Sequence, residues 1–192
     1  MRLLFMGPPG AGKGTQALTL SKKLSVPQIS TGDIFRQNAD DQTEVGQTAQ
    51  RYMDAGEYVP DEVTNEMVRA RLAEPDAREG FLLDGYPRTV DQVETLDSIL
   101  DALDEKLEAV VVLTVDPEEL IKRLLKRAET SGRTDDTEKV IRYRQEVYDE
   151  QTAPLLEVYR DRGILVEVDG IGDVDEVSAR ILDALPAETD KS

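Results

Sequence analysis

No cysteine and no histidine occur among the 192 residues. The first absence excludes disulfides, thiol nucleophiles and cysteine-held zinc. The second excludes imidazole bases, Ser–His–Asp triads and imidazole–metal sites. Any catalysis must use carboxylates, Lys, Arg, hydroxyls, backbone amides or a bound cation. Basic residues are few: 23 against 40 acids, for a formal net charge of −17. Nucleic acid is therefore an improbable partner, since phosphate backbones attract Lys and Arg, and so is an anionic membrane surface. No apolar run approaches the ~20 residues that span a bilayer. The run Leu3-Leu4-Phe5-Met6 before Gly7 is too short for a signal-peptide core, so a cytoplasmic globular protein is expected. The acidity reads as a solvated surface, with adaptation to salt as the alternative. The length fits one domain against a prior of ~150 residues, large enough to bury roughly 70% of its unfolded surface without staples.

Short apolar runs alternate with longer amphipathic stretches. Leu3–Met6, Pro27–Ser30, Gly80–Asp84, Ala109–Val115 and Ile164–Val168 read as strands. The fourth, nearly all Val and Leu, reads as buried on both faces. Helical patterns cover Lys13–Leu24, Asp33–Asn38, Glu44–Ala55, Asp61–Leu72, Val90–Leu103, Pro117–Arg127 and Val174–Leu185. A long helix capped by Thr137 is expected to reach Asp161. Residues 128–136 lack an apolar period and read as a loop. This alternation predicts an α/β fold, a parallel sheet with helices on both faces. One domain over residues 1–185 is expected, followed by a fraying polar tail, 186–192.

Gly7-Pro8-Pro9-Gly10-Ala11-Gly12-Lys13-Gly14-Thr15 lies between the first strand and the first helix, where a phosphate loop must sit. Glycines let backbone amides face a polyphosphate, and the helix N-terminus adds partial positive charge. Lys13 can reach the β and γ phosphates. Gly14 stands where a Mg²⁺-binding hydroxyl is usual, so Thr15 is expected on phosphate rather than directly on the metal. A glycine-rich turn without a ligand is the plainer reading, and the strand–loop–helix context speaks against it.

Charge is unevenly placed. Residues 122–144 hold eight basic residues and four acids, a local balance of +4. Phosphoryl transfer is catalysed mostly by positioning and electrostatics, and the planar Arg fork pairs two phosphate oxygens at once. A solvated charged face is the competing reading. Arg123 and Arg127 share a helix face. Arg144 lies on an apolar stripe with Val140, Val147, Tyr148, Gln151 and Leu155, where it needs an anion, either a ligand or an Asp or Glu. Asp84 ends a strand at its carboxyl end, where α/β sheets bind ligands. It can hold a Mg²⁺ hydration shell, because Mg²⁺ keeps waters and takes few carboxylates. A helix-cap or turn role is the alternative.

The loop Gly7–Thr15, together with Ser30-Thr31-Gly32-Asp33 and Asp84-Gly85-Tyr86-Pro87-Arg88-Thr89, closely resembles the adenylate kinase family, and the likeness runs from Met1 to about Leu185. The resemblance implies a P-loop NTPase-type core of five parallel strands. It also implies two mobile segments, here 30–59 for AMP and a short lid at 126–136, and the reaction ATP + AMP ⇌ 2 ADP with Mg²⁺. It implies that Gly10, Ala11, Gly12, Lys13, Gly14 and Thr15 cradle the ATP phosphates. Thr31, Arg36, Gly85, Tyr86, Pro87 and Arg88 would belong to the AMP site, with Arg88 on the phosphate. Glu57, Tyr58 and Val59 would read adenine through their backbone, and Gln92 through its side chain. Arg123 and Arg127 would bind ATP and phosphate, Arg133 and Arg144 would bridge both substrates, and Gly172 would touch the ATP base. Lys13, Arg88, Arg123, Arg133 and Arg144 would be catalytic. Relatives with larger lids sometimes hold zinc through Cys; this chain is expected to have a small, zinc-free lid and to be monomeric.

The nearest rival is a UMP/CMP kinase. The pyrimidine relatives tend to carry Ala and Asn where this chain has Thr31 and Gln92. A GTPase switch would need Asn-Lys-x-Asp, yet neither Asn38 nor Asn65 is followed by Lys. A purely structural acidic partner protein would leave the phosphate loop unexplained.

Overall fold

A computed structural model describes residues 1–131 and 137–186. Five parallel strands form one sheet in the order β2-β3-β1-β4-β5. They are β1 (Arg2–Met6), β2 (Gln28–Ser30), β3 (Phe81–Asp84), β4 (Ala109–Thr114) and β5 (Leu165–Asp169). The helices among the described residues are α1 (Lys13–Leu24), α2 (Thr31–Asp40), α3 (Glu44–Ala55), α4 (Asp61–Leu72), α5 (Val90–Ala102), α6 (Pro117–Ser131), α7 (Glu138–Val147), α8 (Leu155–Asp161) and α9 (Val174–Ala184).

Strand side chains alternate between faces, and so they feed two cores. Leu4, Met6, Leu83, Val110 and Val112 pack with Val68 and Leu72 of α4, Leu96 and Ile99 of α5, and Leu155 and Tyr159 of α8. Leu3, Phe5, Leu82, Val111 and Leu113 pack on the other side with Ala17 and Leu20 of α1, Leu120 of α6, and Val177 and Ile181 of α9. A third, smaller cluster of Phe35, Ala49 and Val59 joins α2 to α3, and Met67 of α4 packs against both it and the first core. Burial of both faces explains why β1, β3 and β4 read as unbroken apolar runs.

Side-chain caps set several helix starts. Ser30 accepts from the Asp33 N–H, Thr43 from Gly46, Thr89 from Gln92 and Thr137 from Val140. Asp173 and Glu176 form a capping box at α9, which satisfies N–H groups left over at the helix end.

Three expectations are corrected. Helix α6 continues to Ser131, four residues beyond the expected end at Arg127. Residues 128–131 are therefore not loop; 132–136, the last five positions of the expected lid and including Arg133, lie outside the described residues, as does 187–192 of the expected tail. The long helix from Thr137 to Asp161 is broken into α7, a π-helical turn at Tyr148–Thr152, and α8. Pro154, with no N–H to give, falls at the junction. The wider π turn shifts the helical phase, so Gln151 is exposed and Thr152 is buried in its place.

Candidate active site

The parallel order brings the carboxyl ends of β1, β3 and β4 side by side. The loop after β1 is held in place from elsewhere in the chain. Gln145 Nε2 donates to the Pro9 carbonyl at 2.8 Å, and Lys13 Nζ donates to the Pro8 carbonyl at 3.1 Å. One step across the sheet, Asp84 closes β3 in register with Phe5. A Cβ added to Gly14 would lie 3.5 Å from Asp84 Oδ2, so the carboxylate looks onto the loop.

Two cavities open at this end. The first is lined by Lys13, Thr31, Arg36, Glu57, Tyr58, Val59, Gly85, Tyr86, Pro87, Arg88, Gln92 and Arg144. The second, about 880 Å³, is lined by Gly10–Thr15, Asp84, Arg123, Arg127 and Gly172, and it shares Lys13, Arg36, Arg88 and Arg144 with the first. Its size is that of a small-molecule site. The expected residues are thus brought to two adjoining cavities, all but Arg133, which lies outside the described residues.

Gly85 is the pivot between them. Its φ is +83°, and a Cβ there would sit 2.8 Å from Thr31 Oγ1, so only glycine fits. Its carbonyl accepts from Thr31 Oγ1 at 2.9 Å and from Arg88 Nε at 2.7 Å. Arg88 also lies 5.0 Å from the centroid of the Tyr58 ring, a cation–π distance. Its carbonyl accepts from Thr152 Oγ1 at 2.9 Å, and Thr152 in turn is hydrogen-bonded to the Tyr58 hydroxyl at 2.6 Å. Arg36 pairs with Asp33 at 2.5 Å. Gln92 is 1% exposed; its Oε1 accepts from the Arg88 N–H at 2.7 Å and its Nε2 donates to Asp61 at 2.8 Å.

The basic cluster divides. Arg123, Arg127 and Arg144 line the cavities, whereas Lys122, Lys126, Lys139 and Arg142 are exposed. The solvated-face reading thus describes the four exposed members of the cluster, and the cavity-lining placement belongs to Arg123, Arg127 and Arg144.

The site carries electrostatic tension. Burial lowers the Lys13 ammonium to about 8; Asp84 opposes the fall, and Arg88, Arg144 and Arg127 deepen it. Burial also raises the Asp84 carboxyl, against the pull of Lys13 and Arg88. Half-buried cations crowded around Lys13 favour an anionic ligand that restores the balance.

Other residues that shape the site were not anticipated from the sequence. Glu119 holds Arg123 Nε at 3.1 Å while Arg123 Nη2 donates to the Gly170 carbonyl at 3.2 Å. The i,i+4 spacing of Glu119 and Arg123 carries that signal. Gln16 donates to the Val174 carbonyl at 3.0 Å and accepts from Ser178 at 2.6 Å, which ties α1 to the start of α9. Its signal is a polar residue on the inward face of α1 beside Ala17 and Leu20. Thr152 and Asp61 carry no comparable pattern.

Known proteins are similar to this chain over nearly its full length. The sequence model of the family described as adenylate kinase matches residues 5–164. The chain is 63% identical over 185 residues to the adenylate kinase of Nocardioides sp., covering 96% of this chain and 97% of that one. It is 64% identical over 184 residues to the adenylate kinase of Kocuria rhizophila, covering 96% and 98%. It is 57% identical over 185 residues to the adenylate kinase of Thermobifida fusca, covering 96% and 98%. With a phosphate loop, a five-stranded parallel sheet and likeness over nearly its full length, the chain belongs to the adenylate kinase family.

Proposed function

We propose that this chain transfers the terminal phosphoryl group of ATP to AMP, reversibly, giving two ADP. The observation that carries the reading is the wall of Lys13, Arg36, Arg88 and Arg144 shared by the two cavities. Two ligands whose anionic ends meet at one cationic wall are what an in-line transfer between phosphates requires.

ATP takes the larger cleft, its phosphates on Gly10–Thr15 and Arg123 and its base toward Arg127 and Gly172. AMP takes the first cavity, its phosphate on Arg88 and Arg36. Its base lies beside Thr31, Gln92 and the backbone of Glu57–Val59. The attacking AMP phosphate oxygen is already anionic near neutral pH, so no general base is needed and the lack of histidine is immaterial. Lys13 and Arg144, with Arg133, stabilise the charge on the transferring group.

A Mg²⁺ ion fits the donor set here. Asp84 offers one carboxylate beside the open space at Gly14, and Thr15 lines the same cleft, which suits an ion that keeps its waters. When bound, Mg²⁺ neutralises phosphate charge and orients the polyphosphate. Zinc has no part in this reading, since the chain has no Cys or His. The segment 30–59 closes over AMP to exclude water, which would otherwise compete as acceptor; its own small cluster of Phe35, Ala49 and Val59 supports movement as a unit. The enzyme works as a cytoplasmic monomer. Acidic charge disfavours self-association, and the exposed large apolar residues belong to different elements.

The test is ADP formation from ATP and Mg²⁺ with AMP, CMP, UMP and GMP in turn. Strong preference for AMP is expected, with Gln92→Leu raising the AMP KM far more than the ATP KM. Equal transfer to CMP or UMP refutes the acceptor assignment, and no transfer to any of them refutes the reading of the cationic wall.

A further inference from the structure

We propose that Asp61 sets acceptor-base specificity by locking the Gln92 amide in the one orientation that reads adenine. The inference rests on Gln92 as the base reader. The two ends of a Gln amide have nearly the same shape and opposite hydrogen-bonding character, and a half-turn exchanges them. A Gln free to turn would read either of two base edges. Adenine presents a donating 6-amino group beside an accepting N1. Hypoxanthine and guanine present an accepting O6 beside a donating N1–H. Discrimination therefore requires that the amide not turn.

Two bonds prevent it. Gln92 Oε1 accepts from the Arg88 N–H at 2.7 Å, and Nε2 donates to Asp61 Oδ1 at 2.8 Å. A backbone N–H only donates and a carboxylate only accepts, so both bonds specify the same orientation. Asp61 is itself held, because its Oδ2 accepts from Thr89 Oγ1 at 3.0 Å. It opens α4, whereas Gln92 belongs to α5, so the lock spans two helices. Each amide end keeps one unused valence, a lone pair on Oε1 and a hydrogen on Nε2. Gln92 lines the first cavity, so these are what it offers to a base, and they match the adenine edge. Asp61 does not line that cavity and acts through Gln92 as a positioning residue.

Inosine monophosphate is the discriminating probe. It differs from AMP only on that edge and lacks the 2-amino group of GMP, so size does not confound the comparison. Asp61→Asn keeps the shape and can present either a donor or an acceptor to Gln92. Asp61→Ser offers a hydroxyl that does both. With saturating ATP, kcat/KM is measured for AMP and inosine monophosphate in both variants, in Gln92→Leu and in the unaltered chain, together with the ATP KM. We expect the AMP preference to fall about tenfold in both Asp61 variants, the scale of one hydrogen bond. The AMP KM should rise by more than kcat falls, and the ATP KM should stay within twofold. If Gln92→Leu abolishes the preference while both Asp61 variants keep it within twofold, Asp61 does not orient the reader and the proposal fails. A uniform drop for both acceptors with the preference intact makes Asp61 structural and also overturns it. If Gln92→Leu leaves the preference unchanged, Gln92 is not the base reader and both inferences fall.

Discussion

Gly46 offers a test in which two physical effects oppose each other. It lies in the first turn of α3 and is buried against α2. Replacing an internal helical Gly with Ala normally gains up to about 1 kcal/mol of helix propensity. Here the added Cβ would sit 2.1 Å from both the carbonyl carbon and oxygen of Asn38 and 2.3 Å from the Ala39 nitrogen. An ordinary contact is about 3.5–4.0 Å, so the helices must part by more than an ångström. The obstacle is backbone, and it is pinned. Asn38 Nδ2 donates to the Ile34 carbonyl at 2.9 Å, and Thr43 Oγ1 is bonded to Asn38 Oδ1 at 2.9 Å. Thr43 in turn caps α3 by accepting from the Gly46 N–H at 3.0 Å. Overpacking costs about 1–3 kcal/mol, which outweighs the propensity gain in a first turn. The damage should stay local, because Phe35, Ala49 and Val59 form their own small cluster, linked to the first sheet core at Ile34 and Met67. That local unit carries Thr31, Arg36 and Glu57–Val59. Gly46→Ala should therefore raise the AMP KM by about tenfold or more and leave the ATP KM within about twofold. Amide hydrogen exchange should quicken in residues 31–55 and stay unchanged in β1 and β4. A variant with unchanged AMP KM and exchange in α2 and α3 would refute the reasoning, and quickened exchange in β1 would refute its localisation.

Four further outcomes are expected. With Lys13 lowered to about 8, an anion that restores its charge must draw in a proton, so ATP binding at pH 9 should take up about 0.9 proton and at pH 7 only about 0.1. Calorimetry in buffers of different ionisation enthalpy reads this, and equal uptake at both pH values would contradict it. The same lowered value means that the folded chain binds fewer protons than the unfolded one between about 8 and 10.5. Holding charged Lys13 therefore costs stability below 8 and the cost fades as pH rises through that window, a trend Lys13→Met should lose in urea melts. Arg88→Ala should reduce turnover at least about a hundredfold with the cooperative melt retained; loss of the melt would make Arg88 structural. Gln16→Leu should raise the ATP KM several-fold and spare the AMP KM, because it frees the start of α9 from α1; equal rises in both would refute that link.

Legibility from sequence followed the range of the interactions involved. The phosphate loop and the Asp84–Arg88 turn are local, so their residue types and spacing reveal them. The strands were visible because both faces of the sheet are covered. Arg144 was found by helical period, since α7 keeps that period up to Val147. Beyond it the π turn changes the period, and Thr152 rather than Gln151 turns inward, which no α-helical template anticipates. The end of α6 is not legible, because Ala128–Ser131 carries no apolar repeat to mark it. Asp61 and Gln92 are 31 residues apart, and the bond between them exists only once α4 and α5 have packed. Which members of the charge run line the cavities cannot be told from a string of Lys and Arg, because exposure is not visible there.

The strand order has a consequence for how such a catalyst can diversify. β2 and β5 are the two edges of the sheet, separated by four strand spacings of about 4.8 Å, or roughly 19 Å. The chain leaving β2 runs into Thr31 and Arg36, and the chain leaving β5 runs into Gly170 and Gly172. On the proposed reading, Thr31 beside the acceptor base and Gly172 beside the donor base thus stand at opposite margins, with the phosphate loop and Arg88 between them. Changes at Thr31 and at Gly172 lie too far apart to touch, so on that reading donor and acceptor base preferences can drift separately there, whereas a change at Arg36 reaches both cavities. A lineage could trade its acceptor base without relearning its donor, provided that the central strands and their cations were left intact.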